Sequence, residues 1–230
     1  MGRSLCHTPP KKPPITIDQL HAAIAKGSAI EDADLSALEW NDLSCAGATF
    51  LRCRFIGCRF DKAASKGAVF AFSELREAHL LRCDLSLCRF DRCKLFAIEL
   101  ERCNLLGAHF VAAEFSHSFS RKMTQTKAVI RRCNLDVTNL TGIRLPQCDL
   151  SGSSFREADL TDADLTDANL QGCDLQECDL NRAQLAGADI RRAKIGGLNI
   201  LRLGSVKGLK VSADQQWLLL AGLGIEVHPD

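Results

Sequence analysis

Charge of one sign is missing from this 230-residue chain: 29 Lys and Arg stand against 28 Asp and Glu, a formal net charge of +1. A near-neutral balance implies no bulk polyanion or polycation as partner. Also missing is an N-terminal apolar run long enough for a secretory signal or a membrane span, so a cytoplasmic protein with no membrane contact is the expectation. The opening "MGRSLC" lacks the Ser or Thr at position 6 that a myristoylation motif wants. None of the twelve cysteines forms a Cys-x-x-Cys pair, which disfavours a tetrahedral zinc site. No Gly-rich phosphate loop occurs, the six histidines are scattered, and no nucleophile stands beside a plausible base. These absences predict a protein that is not an enzyme and needs no cofactor.

What is present is a period of five. In "ADLTDADLTDANLQGCDLQECDL" the leucines fall at 160, 165, 170, 175 and 180. A helical stripe needs a period of 3.6 and a strand face a period of 2, so neither reads directly. The phase holds from Ile30 to Ile200: of 35 positions divisible by five, 31 are Leu, Ile, Phe or Trp, and only Cys45, Ser65, Ser120 and Gln125 depart. Two residues earlier the side chain is small, as at Ala48, Cys53, Ala108 and Ala163. One small and one large inward residue in every five suits a chain that turns a corner in each unit. Four corners close a square of about 20 residues, whose strands stack on the next coil at roughly 4.7–4.9 Å. About nine such coils make a rod on the order of 40 Å long. A single coil cannot hold itself together, because the entropy of ordering its backbone outweighs the burial of four large side chains. Stacking between neighbours must supply the difference.

Ten of the cysteines (53, 58, 83, 88, 93, 103, 133, 148, 173, 178) occupy the small inward slot. They are expected to act there as small hydrophobes. Cys83 and Cys103, twenty apart, are expected to stack on adjacent coils.

The pattern A(D/N)LXX resembles the pentapeptide-repeat family, whose fold is a right-handed quadrilateral β-helix. The resemblance covers about 180 residues. It implies an all-β solenoid. The irregular ends add short capping helices by their own residues: a Pro-rich tail and helix over 1–27, coils over 28–207, and a helix and strand over 208–230.

Where the repeat breaks its own rule, function is the first suspicion. "DKAASKG" places Ser65 in a large slot, and "SHSFSRKMTQTK" places Ser120 and Gln125 there consecutively. Both segments are expected to bulge as loops, near 61–67 and 116–127. The first offers Asp61, Lys62, Ser65 and Lys66 to a partner. The second offers Ser116, His117, Phe119, Arg121, Lys122, Met123 and Gln125. A tolerated insertion is the plain alternative for either.

At the N-terminal end, "TIDQLHAAIAKG" predicts a helix capped by Thr16 and Gln19 and stopped by Gly27, lying over the first coil. At the other end, Ser212 reads as the N-cap of "SADQQWLLLAGLGIEV". Leu218, Leu219 and Leu220 are consecutive, so one helix cannot bury all three against one coil. Trp217, Leu218, Leu219, Leu220, Leu223, Ile225 and Val227 are therefore the expected homodimer interface, since two-fold pairing is the commonest closure. A cap folded onto its own rod is the alternative.

From Asp149 to Asp189 ten acids face only Arg156 and Arg182. Glu157, Asp159, Asp162, Asp164, Asp167, Asp174, Glu177 and Asp179 form an expected acidic flank, with Asp159 stacked over Asp179 and Glu157 over Glu177. Like charges directly opposite destabilise a sheet. Asp or Asn before Leu is also the plain consensus of the repeat. A flank of this sign could meet a Lys- and Arg-lined surface built to hold phosphate backbone.

A narrower likeness rests on "CRFDKAASKGAVF…LRCDLSLCRFDRCKLFAIELERCNLLGAHF", on "SHSFSRKMTQTK" and on "LLLAGLGIEV". Together these resemble the Qnr quinolone-resistance branch of the family. The resemblance implies a C-terminally paired dimer, two loops per rod, and binding to DNA gyrase and topoisomerase IV with relief of drug-poisoned complexes. DNA mimicry by charge alone fits poorly with a near-neutral chain, and sequence-specific nucleic-acid binding is not expected. Two alternatives stand beside it: self-immunity against a natural topoisomerase toxin, and a scaffold or effector without a topoisomerase role.

Overall fold

The computed structural model describes residues 15–36, 46, 48–55, 58–61, 63–120, 123–226 and 228, with Arg59 and Asp61 described by backbone alone. The expected Pro-rich tail lies outside these residues.

Each five-residue unit folds the same way. The large residue points inward, and its carbonyl accepts the N–H of the small residue three positions on, as in Ala158 to Phe155 (3.1 Å) and Ala163 to Leu160 (3.0 Å). Two turn residues lie between, and the second is left-handed, as a type II turn requires. Nineteen described non-glycine residues carry this positive φ, all at the same place in the unit, among them Arg92 (55°), Val137 (59°) and Asp162 (59°). Left-handed backbone costs a side-chain-bearing residue on the order of 1 kcal/mol. Stacking offsets it: Asp159 N–H donates to Thr138 O (3.0 Å), Leu160 N–H to Asp179 O (2.8 Å) and Asp162 N–H to Asn181 O (2.9 Å), so one unit is tied to both neighbouring coils.

The pairing is parallel and the register is twenty. Asp149 pairs with Asn169, Ser154 with Asp174, Asp159 with Asp179 and Asp164 with Gln184, giving four ladders five residues apart. The chain is thus a β-helix with four walls per coil. Regular strands are brief, such as β1 (Ile30–Glu31) on β2 (Phe50–Leu51) and β3 (Arg59–Asp61) on β4 (His79–Leu81), because a corner interrupts every fifth residue.

The register slips twice. β5 (Ile98–Glu101) pairs with β8 (Ala128–Arg131) at an offset of thirty, and the ten extra residues form an antiparallel hairpin of β6 (Ser116–Ser120) and β7 (Met123–Thr126). Near the C-terminus Gln184 pairs with Ser205 and Asp189 with Lys210, an offset of twenty-one, with the short helix Ile200–Arg202 absorbing the added residue.

The core is a column of inward side chains. Phe50, Phe70, Phe90 and Phe110 stack with centroids 5.2, 5.2 and 5.0 Å apart and planes within 13° of parallel. Further along, Leu140, Leu160 and Leu180 continue the column, all buried. Ten described cysteines are free, nine of them buried. Their thiols donate to inward carbonyls of the coil before, as from Cys103 to Leu80 O (3.3 Å) and Cys173 to Leu150 O (3.2 Å). Burial pushes the Cys93 and Cys173 thiols up to about 12. Cys83 and Cys103 do stack, and Cys133 joins them, hydrogen-bonded to Cys103 across the thirty-residue step.

The N-terminal cap forms as its sequence predicts. In α1 (Ile17–Ala25) the Thr16 side chain accepts from Gln19 N–H (3.3 Å) and the Gln19 side chain accepts from Thr16 N–H (2.9 Å). Leu20 is fully buried on the core. At the other end Ser212 N–H donates to Gln215 Oε1 (2.8 Å), and the buried Gln215 amide donates to Ile190 O and Ala193 O (2.8 and 2.7 Å), closing the last coil. The short helix α2 (Gln216–Gly222) follows. The apolar strand expected after it is absent among the described residues, where Leu223 and Gly224 turn and Ile225 and Glu226 have no regular structure.

Candidate protein-interaction site

The β6–β7 hairpin is the one described segment that leaves the coil. Ser116 pairs with Thr126, His117 with Gln125 and Ser118 with Thr124, and a bulge precedes the Ser120–Met123 pair. Alternation of Ser with larger residues suits an exposed two-stranded ribbon, and the Ser118 and Thr124 hydroxyls bond across it at 2.8 Å. At its base Lys127 N–H donates to Phe115 O (3.1 Å) and Ala97 N–H to Lys127 O (2.7 Å), so the coil resumes at once. Three rings fix its lean: Phe96 lies 5.4 Å from His117 and 5.7 Å from Phe119, and His117 lies 4.8 Å edge-on to Phe119. Phe96 is buried at 8% exposure, whereas Phe119 and Met123 keep 51% and 56% of their surface in solvent. A rigid base with two exposed apolar side chains is the arrangement that binding hot spots favour. Ser116 and Gln125 are exposed on the same ribbon; Arg121 and Lys122 lie outside the described residues. The Phe96 ring was not among the sequence candidates. Its signal was a large aromatic in a turn slot where no other unit of the repeat carries a ring.

The first expected loop does not bulge. Ala64 bridges Asp84 at the regular offset, Ser65 N–H donates to Asp84 O and Gly67 N–H to Ser86 O, both at 2.8 Å. Ser65 is 1% exposed and points inward, and its carbonyl accepts the Cys88 thiol at 2.8 Å. A serine in the large slot changes what fills the core without adding backbone, so the phase is kept. Lys66 is exposed at a corner and the Asp61 backbone pairs with Leu81. Lys62 lies outside the described residues.

The acidic residues divide by slot. Asp159, Asp164, Asp174 and Asp179 precede the large residue, and each accepts with one carboxylate oxygen the N–H two positions on, Thr161, Thr166, Gln176 and Asn181, at 2.9–3.2 Å. The repeat needs Asp or Asn there because the side chain holds the turn in place. Glu157, Asp162, Asp167 and Glu177 instead occupy left-handed corners. The eight surround the rod on several walls instead of forming one flank. Many are neutralised: Asp162 meets Arg182 at 2.6 Å, Asp174 meets Lys194 at 2.9 Å, and Glu177 meets Arg156 at 3.9 Å. Asp167 lies over Gly187, where a Cβ would stand 2.0 Å from its oxygen. As the spacing predicts, Asp159 does pair with Asp179, and Glu157 and Glu177 share one corner in successive coils.

At the C-terminal end the leucines separate. Leu218 and Leu219 lean on the core, while Trp217 and Leu220 remain 57% and 37% exposed. Ile225 is 48% exposed and Leu223 half-buried; Val227 lies outside the described residues.

Among the described residues no group of three or more His, Cys, Asp or Glu side chains could hold a metal ion, and no helix is long and apolar enough to cross a membrane. The model of the "Pentapeptide repeats" family matches residues 133–172 and 163–199, in eight copies. Residues 133–199 thus carry pentapeptide repeats. The chain is similar to pentapeptide repeat protein QnrB4 of Escherichia coli, 29% identical over 113 residues that cover 44% of this chain and 53% of the relative. It thus spans about half the length of that curated relative. Among solved structures, a trypsin-treated variant of QnrB1, described as a plasmid-mediated fluoroquinolone resistance protein, superposes with a TM-score of 0.69 at 24% identity, covering 87% of this chain and 99% of that one. A second trypsin-treated QnrB1 variant gives 0.65 at 25% identity, with 87% and 97% covered. The likeness to the QnrB1 structures establishes a β-helix by fold.

Proposed function

We propose that this pentapeptide-repeat protein is a non-catalytic binding partner of type II topoisomerases, DNA gyrase first and topoisomerase IV second, and that it relieves their poisoning by quinolone-type drugs in the cytoplasm. The observation that carries the reading is the ring-anchored hairpin on a rod that superposes along nearly the whole of QnrB1. The coil serves as a stiff mount of about nine right-handed turns, the hand that parallel crossovers almost always take. From that mount Phe119 and Met123 reach a second surface. Bulk charge is not the driver, because Asp162, Asp174 and Glu177 are paired within the rod. Two rods join through Trp217, Leu220 and Ile225, whose exposure at one end leaves apolar area for a copy to cover.

The test is gyrase supercoiling in the presence of a fluoroquinolone. The full chain restores supercoiling. A variant lacking 117–126 does not, while its circular dichroism stays that of the full chain. Equal protection by both would overturn the role given to the hairpin.

A further inference from the structure

The hairpin leaves the rod beside Phe96, at the corner diagonal to that of Leu87. The Leu87 corner carries a second unexplained feature. In three successive coils it holds Leu87, Leu106 and Val137, exposed by 54%, 40% and 55%. Across the adjoining wall, the next corner holds Phe72 and Val111, exposed by 51% and 52%. Leu87 and Val137 are left-handed, with φ of 58° and 59°. Such backbone suits Gly or Asn, is rare for a bulky residue, and is an outlier for a β-branched one. The chain uses Gly67, Gly107 and Gly197 at this same corner in other coils. Bulky apolar groups here are therefore disfavoured twice, by the backbone and by water.

The same wall continues into carboxylates. Its ladder runs Val69, Arg89, His109, Asn139, Asp159, Asp179. Glu157 and Glu177 follow Val137 on the corner, and like charges stack coil over coil with Asp159 against Asp179. Of the nearby cations, Arg156 on the same corner meets Glu177 at 3.9 Å, and Arg182 is engaged by Asp162 and Arg89 by Asp91, both at 2.6 Å. Arg92 lies 5.3 Å over the Phe72 ring. The Asp159–Asp179 pair and Glu157 therefore carry the acidic character. An apolar stretch against an acidic one repels nucleic acid and anionic lipid alike, and calls for a partner that is apolar at one end and basic at the other.

We propose that this wall docks one α-helix of another protein, apolar over about two turns and Lys- or Arg-rich over the next two. The dimensions fit. Coils are spaced about 4.8 Å apart, so the four steps from Leu87 to Glu177 span about 19 Å. A helix rises 1.5 Å per residue, so about 13 residues cover that length, and its diameter of about 10 Å sits between the two apolar corners.

A labelled helical peptide of about 14 residues, with leucines spaced three and four apart in its first half and lysines in its second, is titrated with the full chain by fluorescence anisotropy. Two paired variants are compared, Leu87→Asn with Val137→Asn, and Glu157→Gln with Glu177→Gln. Each is expected to weaken binding about tenfold. Neither should lower the thermal midpoint, since Asn accepts the left-handed corner and Gln removes a repulsion. Loss of residues 117–126 should leave peptide binding intact, which separates this site from the proposed topoisomerase contact. The proposal is overturned if the peptide does not bind, if a peptide of the same composition with lysines interspersed binds equally, or if the variants bind as the wild type does. It is also overturned if the variants melt several degrees lower, or if sedimentation shows that Leu87→Asn with Val137→Asn abolishes self-association.

Discussion

Asn104 pairs with Asn134, thirty residues along the chain, although Asp84 below it pairs with Asn104 at twenty. The ten residues between the two offsets are the hairpin, and they sit in a corner beyond which the ladders resume at twenty, as Val129 with Asp149 and Asn134 with Ser154. Removing 117–126 should therefore restore the offset of twenty. The shortened chain should keep its β-helical circular dichroism spectrum and melt cooperatively. A chain that aggregates or loses its β signal would show that the hairpin is part of the folding unit.

The phenylalanine column makes a graded prediction. Phe90 lies between Phe70 and Phe110 with centroids at 5.2 and 5.0 Å. Phe90→Ala should cost about 3–5 kcal/mol in chemical denaturation, because rings above and below limit collapse of the cavity. Phe90→Leu should cost less than about 1.5 kcal/mol, since leucines fill the same column further along.

Gly222 decides how α2 docks. A Cβ there would stand 2.2 Å from Leu198 O and 3.2 Å from Leu198 C. Both atoms are backbone and cannot swing away. Gly222→Ala should lift the helix from the last coil and displace Trp217 and Leu220. On the proposed pairing of two rods, sedimentation velocity should then report a shift from dimer to monomer, with the β-helix signal intact.

Acid should loosen the C-terminal coils before the rest. The Arg191 guanidinium and its N–H, with the Gln171 amide, hold the Asp189 carboxyl at about 2. Asp174, beside Lys194, is likewise held below the usual carboxylate range although burial opposes this. A carboxylate held low in the folded state binds fewer protons than the unfolded chain does, so its contribution is complete above about pH 4 and is lost as pH falls toward 2. Asp189 is 8% exposed and should contribute up to about 2 kcal/mol. Thermal melts between pH 5 and pH 2 should show the decline, and Asp189→Asn should flatten it.

The hairpin region was legible because Ser120 and Gln125 break the large slot twice in succession, which no single substitution does. Ser65 also breaks it, but once, and a lone small residue can be buried without a loop. The ring cluster of Phe96, His117 and Phe119 was not legible, since it joins a turn residue of one coil to an insertion about twenty positions later. The acidic residues were legible as charges. Their division into turn caps and corner residues needed the hydrogen bonds of Asp159 and Asp179 to separate it.

The spacing of five by itself determined the coil, its twenty-residue circuit and the inward place of the cysteines, because local steric rules repeat in every unit and only neighbours interact. Tertiary structure alone decided that Cys133 stands on Cys103 and that Leu106 and Val137 join Leu87. It also decided which acids find a guanidinium. The reason is register: the hairpin sets every pair that spans it thirty apart, and the spacing of five marks where the pattern breaks but not how many residues leave the coil.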